Sequence, residues 1–392
     1  MRIAIMCSSP GGGGLSPNPV ELALSFKRQG HDVHAFCGSK IEYETGLRAR
    51  MEAAGIIVHE IPFAESTGLR GMSPFDSSLR KEMLAISPDV VHCWGPRFAY
   101  QSRPFGRRRQ PHRPIYVAMI MAMGHDGAGW RGKVGAWMAN NYLDRALGCC
   151  SIDLQRLRTL GIRSEKLDLM LAPISCAPAL AIEKQALADG REAVLKEFNL
   201  PAHRKLLGYI AKFRAVKRQD LLIRAFTKLA PEFPDWDLVL PGEGEGLEEC
   251  KASANAIPGR VHFLGNIQHE RALRLTAAVD AIAHTSDIET FGWSMLESLL
   301  LGKPVVFTRA GVAGEVQQAK TGLVTDIGNL DQLIASLRTL LTGGPEIDAM
   351  AAGGPTWVQE NFDVDVVAKK LVAVYERLRG ATPSPVLGRG QG

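Results

Sequence analysis

Short apolar runs alternate with helix-like stretches along most of the chain, and this alternation constrains the fold more than any other feature. In the front half, RIAIMCS, DVHAFCG, IIVHEIPF, DVVHCWG, PIYVAMIMAMG and ALGCCS read as strands. Between them, VELALSFKRQG, the short ARMEAAG, SLRKEMLAISP and SIDLQRLRTLG read as helices. Gly30 and Pro88 stop two of them, as glycine past a last turn and proline beyond it do. The strands are apolar almost throughout rather than at every second residue. A strand covered on both faces has that composition, and such strands build parallel sheets flanked by helices. LDLMLAPISCAPALAIEKQ then interrupts the pattern with two prolines and no clear period, and reads as a domain junction. A second series follows, with strands KLLGYIAKF, WDLVLPGEG, RVHFLG, DAIAHTS and PVVFTR. Its helices are QDLLIRAFTKLAPEF, HERALRLTAAV and WSMLESLLLG, and DQLIASLRTLLTG and DVVAKKLVAVYERLRG close the chain. At 392 residues the chain is too long for one ordinary core. Two α/β domains in tandem are expected, with ligands at the carboxyl ends of their strands and in the cleft between them.

Composition narrows the functional classes. A hydrophobic share of 46% and a charged share of 22% are those of a globular chain. No apolar run reaches the roughly 18–20 residues that span a bilayer, and the apolar part of MRIAIMCSSPGGGG is too short for a signal peptide. The seven cysteines are scattered, without a CxxC pair or a metal-ligand cadence. A cytoplasmic location is therefore expected. The tail ATPSPVLGRGQG, rich in proline and glycine, reads as loose. The net charge of +5 is uneven. Residues 1–178 hold 22 Lys and Arg against 15 Asp and Glu, a balance of +7, and the remainder holds 24 against 26. No acid lies between Asp89 and Asp126, a window that contains Arg97, Arg103, Arg107, Arg108, Arg109 and Arg113. Such a patch suits a phosphorylated acceptor or an anionic lipid surface at the inner face of the membrane, or is a solvated basic loop. Nucleic acid is disfavoured, because no nucleic-acid fold signature accompanies the charge.

Four constellations carry chemistry. In SDIETFGWSMLES, residues 286–298, Glu289 precedes a helix expected from about Gly292 to Leu301, and Glu297 lies more than one turn inside it. A helix N-terminus offers free N–H groups and partial positive charge to a phosphate, and Gly292 permits close approach to the backbone. The bland alternative is an acidic first turn that complements the helix dipole. In GYIAKFRAVKRQDLL, Lys212, Arg214, Lys217 and Arg218 fall within seven residues at a strand end, a natural diphosphate clamp or a solvated basic turn. PGEGEG after WDLVL permits a tight turn and a ligand's approach. The glycines at 11–14, with Gly12 and Gly13 at their centre, lack the spacing of a dinucleotide-binding fingerprint but could admit a phosphate or an acceptor.

VKRQDLLIRAFTKL, WDLVLPGEGEG, RVHFLGN, SDIETFGWSMLES, GKPVVFTRAGVAGEV and KTGLVTD follow one another in an order and spacing that resembles the family-4 retaining glycosyltransferases of the GT-B fold. The resemblance is strong over about residues 205–328 and weak before them. It implies two Rossmann-like β/α/β domains facing each other across a deep cleft. Residues 1–178 would bind the acceptor and 179–360 the nucleotide sugar. Residues 361–380 would form a helix crossing back to the first domain, and 381–392 a flexible tail. By resemblance Glu289 meets hydroxyls of the transferred sugar, Glu297 meets the ribose, and Phe291 and Gly292 sit against the sugar. Lys217 contacts the diphosphate. Lys212 stands where the family usually has arginine, which keeps the charge but loses the bidentate fork. Gly265 borders the base, and His125 in MGHDG lies near the sugar's anomeric carbon. The donor would be a nucleotide-diphosphate sugar, UDP-linked for preference or GDP-mannose, used without a metal or other cofactor. Arg107, Arg108 and Arg109 would meet the acceptor or a membrane. Two rival readings are another GT-B enzyme, an epimerase or a phosphorylase, and a protein that binds nucleotide sugars without turning them over.

Overall fold

The structure is a computed structural model, and it describes residues 1–6, 17–37, 46–60, 77–102, 113–121 and 129–381. The chain forms two compact units. Unit 1 joins Met1–Ile174 to Val364–Gly392, and unit 2 is Ser175–Asp363.

Unit 1 holds a seven-stranded sheet: β1 (Arg2–Met6), β2 (Asp32–Cys37), β3 (Ile57–Glu60), β4 (Val90–Trp94), β5 (Ile115–Ile120), β6 (Arg145–Gly148) and β7 (Leu167–Leu169). Their spatial order is β3-β2-β1-β4-β5-β6-β7, and every pair is parallel. All six residues of β5 are buried, as the unbroken apolar run requires. The order reverses between β1 and β4. The helix Val364–Ala381 packs on the helix Pro17–Arg28. Val367, Ala368, Leu371 and Tyr375 are its buried face. Asp365 accepts from Ser25 Oγ at 2.5 Å and from Arg28 at 2.6 Å. Deeper, the Tyr375 hydroxyl lies 2.6 Å from Nδ1 of His92, a fully buried histidine on the central strand β4. Burial depresses the His92 pKa to about 3, so its imidazole stays neutral.

Unit 2 holds a six-stranded sheet: β8 (Lys205–Gly208), β9 (Trp236–Pro241), β10 (Val261–Gly265), β11 (Ala281–His284), β12 (Val305–Thr308) and β13 (Leu323–Thr325). The order is β10-β9-β8-β11-β12-β13, again parallel throughout. Here the order reverses between β8 and β11. At such a point the loops leaving neighbouring strands diverge to opposite faces and leave a crevice beyond the carboxyl ends.

Two helices correct the sequence reading. The junction LDLMLAPISCAPALAIEKQ contains β7 and the helix Cys176–Asp189. Pro178 sits in that helix's first turn, where its missing N–H costs nothing. The helix Pro345–Phe362 runs through Gly353-Gly354-Pro355. A Cβ on Gly354 would come within 2.6 Å of the Leu299 carbonyl oxygen, so glycine here brings this helix hard against the helix Trp293–Leu300.

The His92–Tyr375 contact predicts a measurable cost. Tyr375→Phe removes one partner from a buried pair and should lower unfolding stability by about 1–3 kcal/mol. Arg28→Ala, at the exposed end of the same helix pair, should cost less than about 1 kcal/mol. Chemical denaturation of the two variants beside the wild type checks the contrast.

Candidate functional site

The two strands at the reversal point of unit 2 carry the site. β8 ends at Gly208, and the chain runs through Tyr209–Arg218 before the helix Gln219–Leu229. β11 ends at His284, and the chain runs through Thr285–Gly292 before the helix Trp293–Leu300. These two connections are stitched together. The Asp287 N–H donates to the Val216 carbonyl at 2.8 Å. The Thr285 hydroxyl donates between the carbonyls of Lys217 and Arg218, at 3.1 and 2.8 Å. Arg218 grips Asp220 and Asp287, each at 3.0 Å.

At the centre of the seam, Lys217 Nζ donates to Glu289 Oε1. Ser286 Oγ donates to the same oxygen at 2.8 Å, and the Tyr209 hydroxyl lies 2.8 Å from Ser286 Oγ and donates to the Lys217 carbonyl at 2.9 Å. The Glu289 side chain is 12% exposed and that of Lys217 22%. A carboxylate so enclosed requires partners of this kind. Burial, with the charge of Glu289 adding to it, pushes the Tyr209 phenol well above its ordinary pKa, so it stays a donor. Beneath the seam His284 packs edge-on to Tyr209 at 5.1 Å between ring centroids. Burial first, and the Lys217 charge second, depress its pKa to about 3 and keep it neutral.

Glu297 stands in the second turn of the helix Trp293–Leu300, and its Oε1 lies 2.7 Å from His269 Nε2. His269 opens the helix His269–Ala278, just after β10. The hydrogen bond from Glu297 holds the His269 pKa above its usual value. The first turn of Trp293–Leu300 contains no acid. The reading of the two glutamates as an acidic first turn is therefore removed: one precedes the helix and the other lies within it.

Other expected residues fall as follows. Gly292 is the helix N-cap, in the left-handed conformation with φ 100°. Gly265 ends β10, where the register with β9 breaks, and its carbonyl accepts from the Gly242 N–H at 2.6 Å. Lys212 and Arg214 are exposed and make no ion pair among the described residues. Gly12, Gly13, His125, Arg107, Arg108 and Arg109 lie outside the described residues.

Three expectations are corrected. The Phe291 ring is fully buried and packs against Trp293 and Phe362, at 5.3 and 5.9 Å, so its side chain is core and offers no surface to a sugar. Arg218 is satisfied by two carboxylates and spans the seam, so it is not a fourth arm of a phosphate clamp. Two of the three PGEGEG glycines, Gly242 and Gly244, admit the protein's own backbone rather than a ligand. Gly242 and Gly244 have φ of 132° and 151°, and a Cβ on them would come within 2.1 Å of the Ala211 oxygen and 2.0 Å of the Phe213 oxygen. That turn braces the segment bearing Lys212, and the Phe213 N–H donates to the Glu243 carbonyl at 2.9 Å.

Tyr209, Ser286, Thr285 and His269 were not picked out from the sequence. The first three carry no sequence signal beyond their nearness to Lys217 and Glu289. His269 lies 28 residues from its partner and becomes visible only when β10 and β11 are placed in one sheet.

Comparison with known proteins agrees with this geometry. The profile of the family described as Glycosyl transferases group 1 matches residues 190–357, and that of Glycosyltransferase Family 4 matches residues 12–174. A curated relative from Bacillus anthracis, "N-acetyl-alpha-D-glucosaminyl L-malate synthase", is 34% identical over 356 residues, covering 86% of this chain and 88% of its own. The "Lipopolysaccharide core biosynthesis mannosyltransferase LpsB" of Rhizobium meliloti (strain 1021) is 27% identical over 194 residues, 47% of this chain and 54% of its own. The chain thus spans about half the length of several relatives it matches. Among solved structures, Anabaena Alr3699/HepE in complex with UDP and glucose superposes with a TM-score of 0.71 at 19% identity, over 95% of this chain and 99% of that one. The fold is GT-B. The chain belongs to the family-4, group 1 glycosyltransferases.

The His269–Glu297 pair sets a pH dependence. Because the folded pKa of His269 is raised, the stability it contributes is fully present below its unfolded pKa of about 6.5 and is lost as pH rises through the folded value. The imidazole is 69% exposed, so the effect should be small, roughly 0.2–0.5 kcal/mol. Thermal melts should place His269→Gln below the wild type at pH 5.5 and level with it at pH 9.

Proposed function

We propose that this chain is a retaining glycosyltransferase that moves a hexose-type sugar from a UDP-linked donor to a hydroxyl of an anionic acceptor, without a metal. The observation that carries the reading is the Lys217–Glu289–Ser286 cluster at the carboxyl ends of β8 and β11, where a parallel sheet of this order binds its ligand. The family profile over unit 2 supports a nucleotide-sugar donor there.

In this reading the diphosphate lies between Lys212, Lys217 and the N-terminus of the helix Trp293–Leu300. The bond between the anomeric carbon and the phosphate oxygen breaks, and its electron pair leaves with the nucleoside diphosphate. Positive charge grows on the sugar and negative charge on the leaving group. The lysines and the helix N–H groups stabilise the latter, which is electrostatic catalysis. Glu289, fixed by Lys217 and Ser286, accepts hydrogen bonds from sugar hydroxyls and orients the anomeric carbon. The acceptor oxygen then bonds to that carbon from the face the diphosphate leaves, and its proton passes to the departing phosphate oxygen. Glu297 accepts from the ribose hydroxyls, which share it with His269. Gly292 and the Phe291 backbone border the sugar, and Gly265 borders the base. By the family resemblance His125 would contact the sugar, and Gly12 and Gly13 would admit the acceptor.

The malate in the name of the Bacillus anthracis relative supports an anionic acceptor, as does the acid-free window containing Arg107, Arg108 and Arg109. A cytoplasmic setting agrees with six cysteines that are free and buried. Transfer from GDP-mannose is the second reading, favoured by the mannosyltransferase name of the Rhizobium relative.

A donor panel of UDP-, GDP-, ADP- and TDP-sugars tests the proposal. Slow release of UDP from a UDP-hexose is expected from the wild type. Glu289→Ala should lower kcat about 10²–10³-fold. Glu297→Ala should act mainly by raising the donor KM. Tight donor binding with no turnover under any acceptor would overturn the enzymatic reading, and release of GDP alone would replace the donor.

A further inference from the structure

Glu297 has one side-chain partner among the described residues, and it comes from another part of the chain. Its Oε1 lies 2.7 Å from His269 Nε2, and its Oε2 has no partner among those residues. The Glu297 side chain is largely enclosed, at 22% exposure. A glutamate on a helix face has three rotatable bonds, and holding it in one direction costs side-chain entropy. A partner that fixes it beforehand removes that cost from ligand binding. The chain places His269 for this contact. The connection after β10 ends at Gln268, the N-cap of the helix His269–Ala278. β10 and β11 are not neighbours in the sheet, so this connection alone brings His269 to the helix that follows β11.

Neighbouring charges leave the pair intact. Arg271 donates to the Glu197 carbonyl at 3.1 Å and lies over the Phe198 ring, and Arg274 pairs with Asp189 and Glu197. The hydrogen bond from Glu297, then the charges of Glu297 and Glu270, favour the imidazolium against burial. His269 Nε2 therefore donates to Oε1. A carboxylate held this way has one oxygen engaged and the other open. A vicinal diol brings two hydroxyl donors, which Oε2 and the remaining lone pair of Oε1 can accept. A 2′-deoxy sugar brings one donor fewer. A site built to hydrogen-bond a hydroxyl rejects the analogue that lacks it, because its own polar group is left unpaired.

We propose that His269 is a positioning residue that aims Glu297 at the ribose, so that the site selects a ribonucleotide over its 2′-deoxy analogue. The inference rests on the reading that Glu297 meets the ribose hydroxyls. His269 acts through Glu297 and takes no part in the transfer itself.

Calorimetric titration of the full chain with UDP and 2′-deoxy-UDP at about pH 6, where both members of the pair are charged, tests it. The wild type should bind UDP roughly ten-fold more tightly than the deoxy form. Glu297→Ala should erase that preference. His269→Ala should weaken UDP binding roughly five-fold and cut the preference to about two-fold. His269→Gln, whose amide N–H replaces the imidazole donor, should restore most of it. The imidazole is exposed, so both His269 variants should fold, and a thermal melt checks this. A residue that served packing alone would weaken both nucleotides together and leave the preference unchanged. A preference lost in Glu297→Ala but intact in His269→Ala would overturn the proposal and leave the ribose reading standing. A preference intact in Glu297→Ala would overturn that reading and the proposal with it. If UDP does not bind, GDP and 2′-deoxy-GDP take its place, and binding of neither pair overturns both.

Discussion

The ion pair between Lys217 and Glu289 closes the seam on which unit 2's site depends. Two connections leave β8 and β11 at the point where the strand order reverses. On their own they would diverge. Backbone and side-chain bonds from Val216, Thr285, Ser286 and Arg218 hold them side by side instead. Each side chain is largely enclosed, and the contact gives each a partner that an isolated polar group at that depth would lack. Ser286 and Tyr209 then supply the hydrogen bonds that fix the carboxylate's direction. Under the proposed function, such a preorganised acceptor orients a reacting sugar.

The surroundings keep that charge pattern simple. His284 and Tyr209 lie directly under the seam, and burial keeps both uncharged across the working pH range. The glycine turn after β9 supports the Lys212 segment from one side, and the helix Pro345–Phe362 supports the helix Trp293–Leu300 from the other. Lys212 and Arg214 stand outside this framework, exposed and unpaired by acids among the described residues. The cluster therefore has an enclosed, hydrogen-bonded floor and an exposed cationic rim.

Much of the fold was legible because a parallel strand covered on both faces must be apolar throughout. β5 shows the pattern undiluted, with six buried residues, whereas β9 buries six with Asp237 among them, paired with Arg204 and Arg260. Helix starts and stops were legible where a glycine or proline sat just outside the element, as at Gly302 after Trp293–Leu300. The same residue types were not legible where they served packing inside a helix. Gly354 and Pro355 sit inside a helix that the sequence reading did not assign, where the glycine allows one helix to press on another; the stretch around Pro178 does hold the boundary between the two units, and Pro178 also opens a helix there. Within the site, Glu289, Glu297 and Lys217 were legible because unpaired charge at a strand end demands an explanation. Phe291 and Arg218 were misread because sequence gives the loop but not the direction of the side chain: one ring turns into the core, and one guanidinium turns to neighbouring acids. The hydroxyls of Ser286 and Tyr209 were invisible, since such groups gain meaning only from a partner brought close by the fold.

A double-mutant cycle on Lys217 and Glu289, read as kcat/KM for release of nucleoside diphosphate from the donor, tests the central claim most directly. If the pair works as a unit, Lys217→Ala with Glu289→Ala will be scarcely worse than either single change, giving a coupling of roughly 1–3 kcal/mol. Independent losses that simply add, or singles that leave the rate intact, would contradict the account.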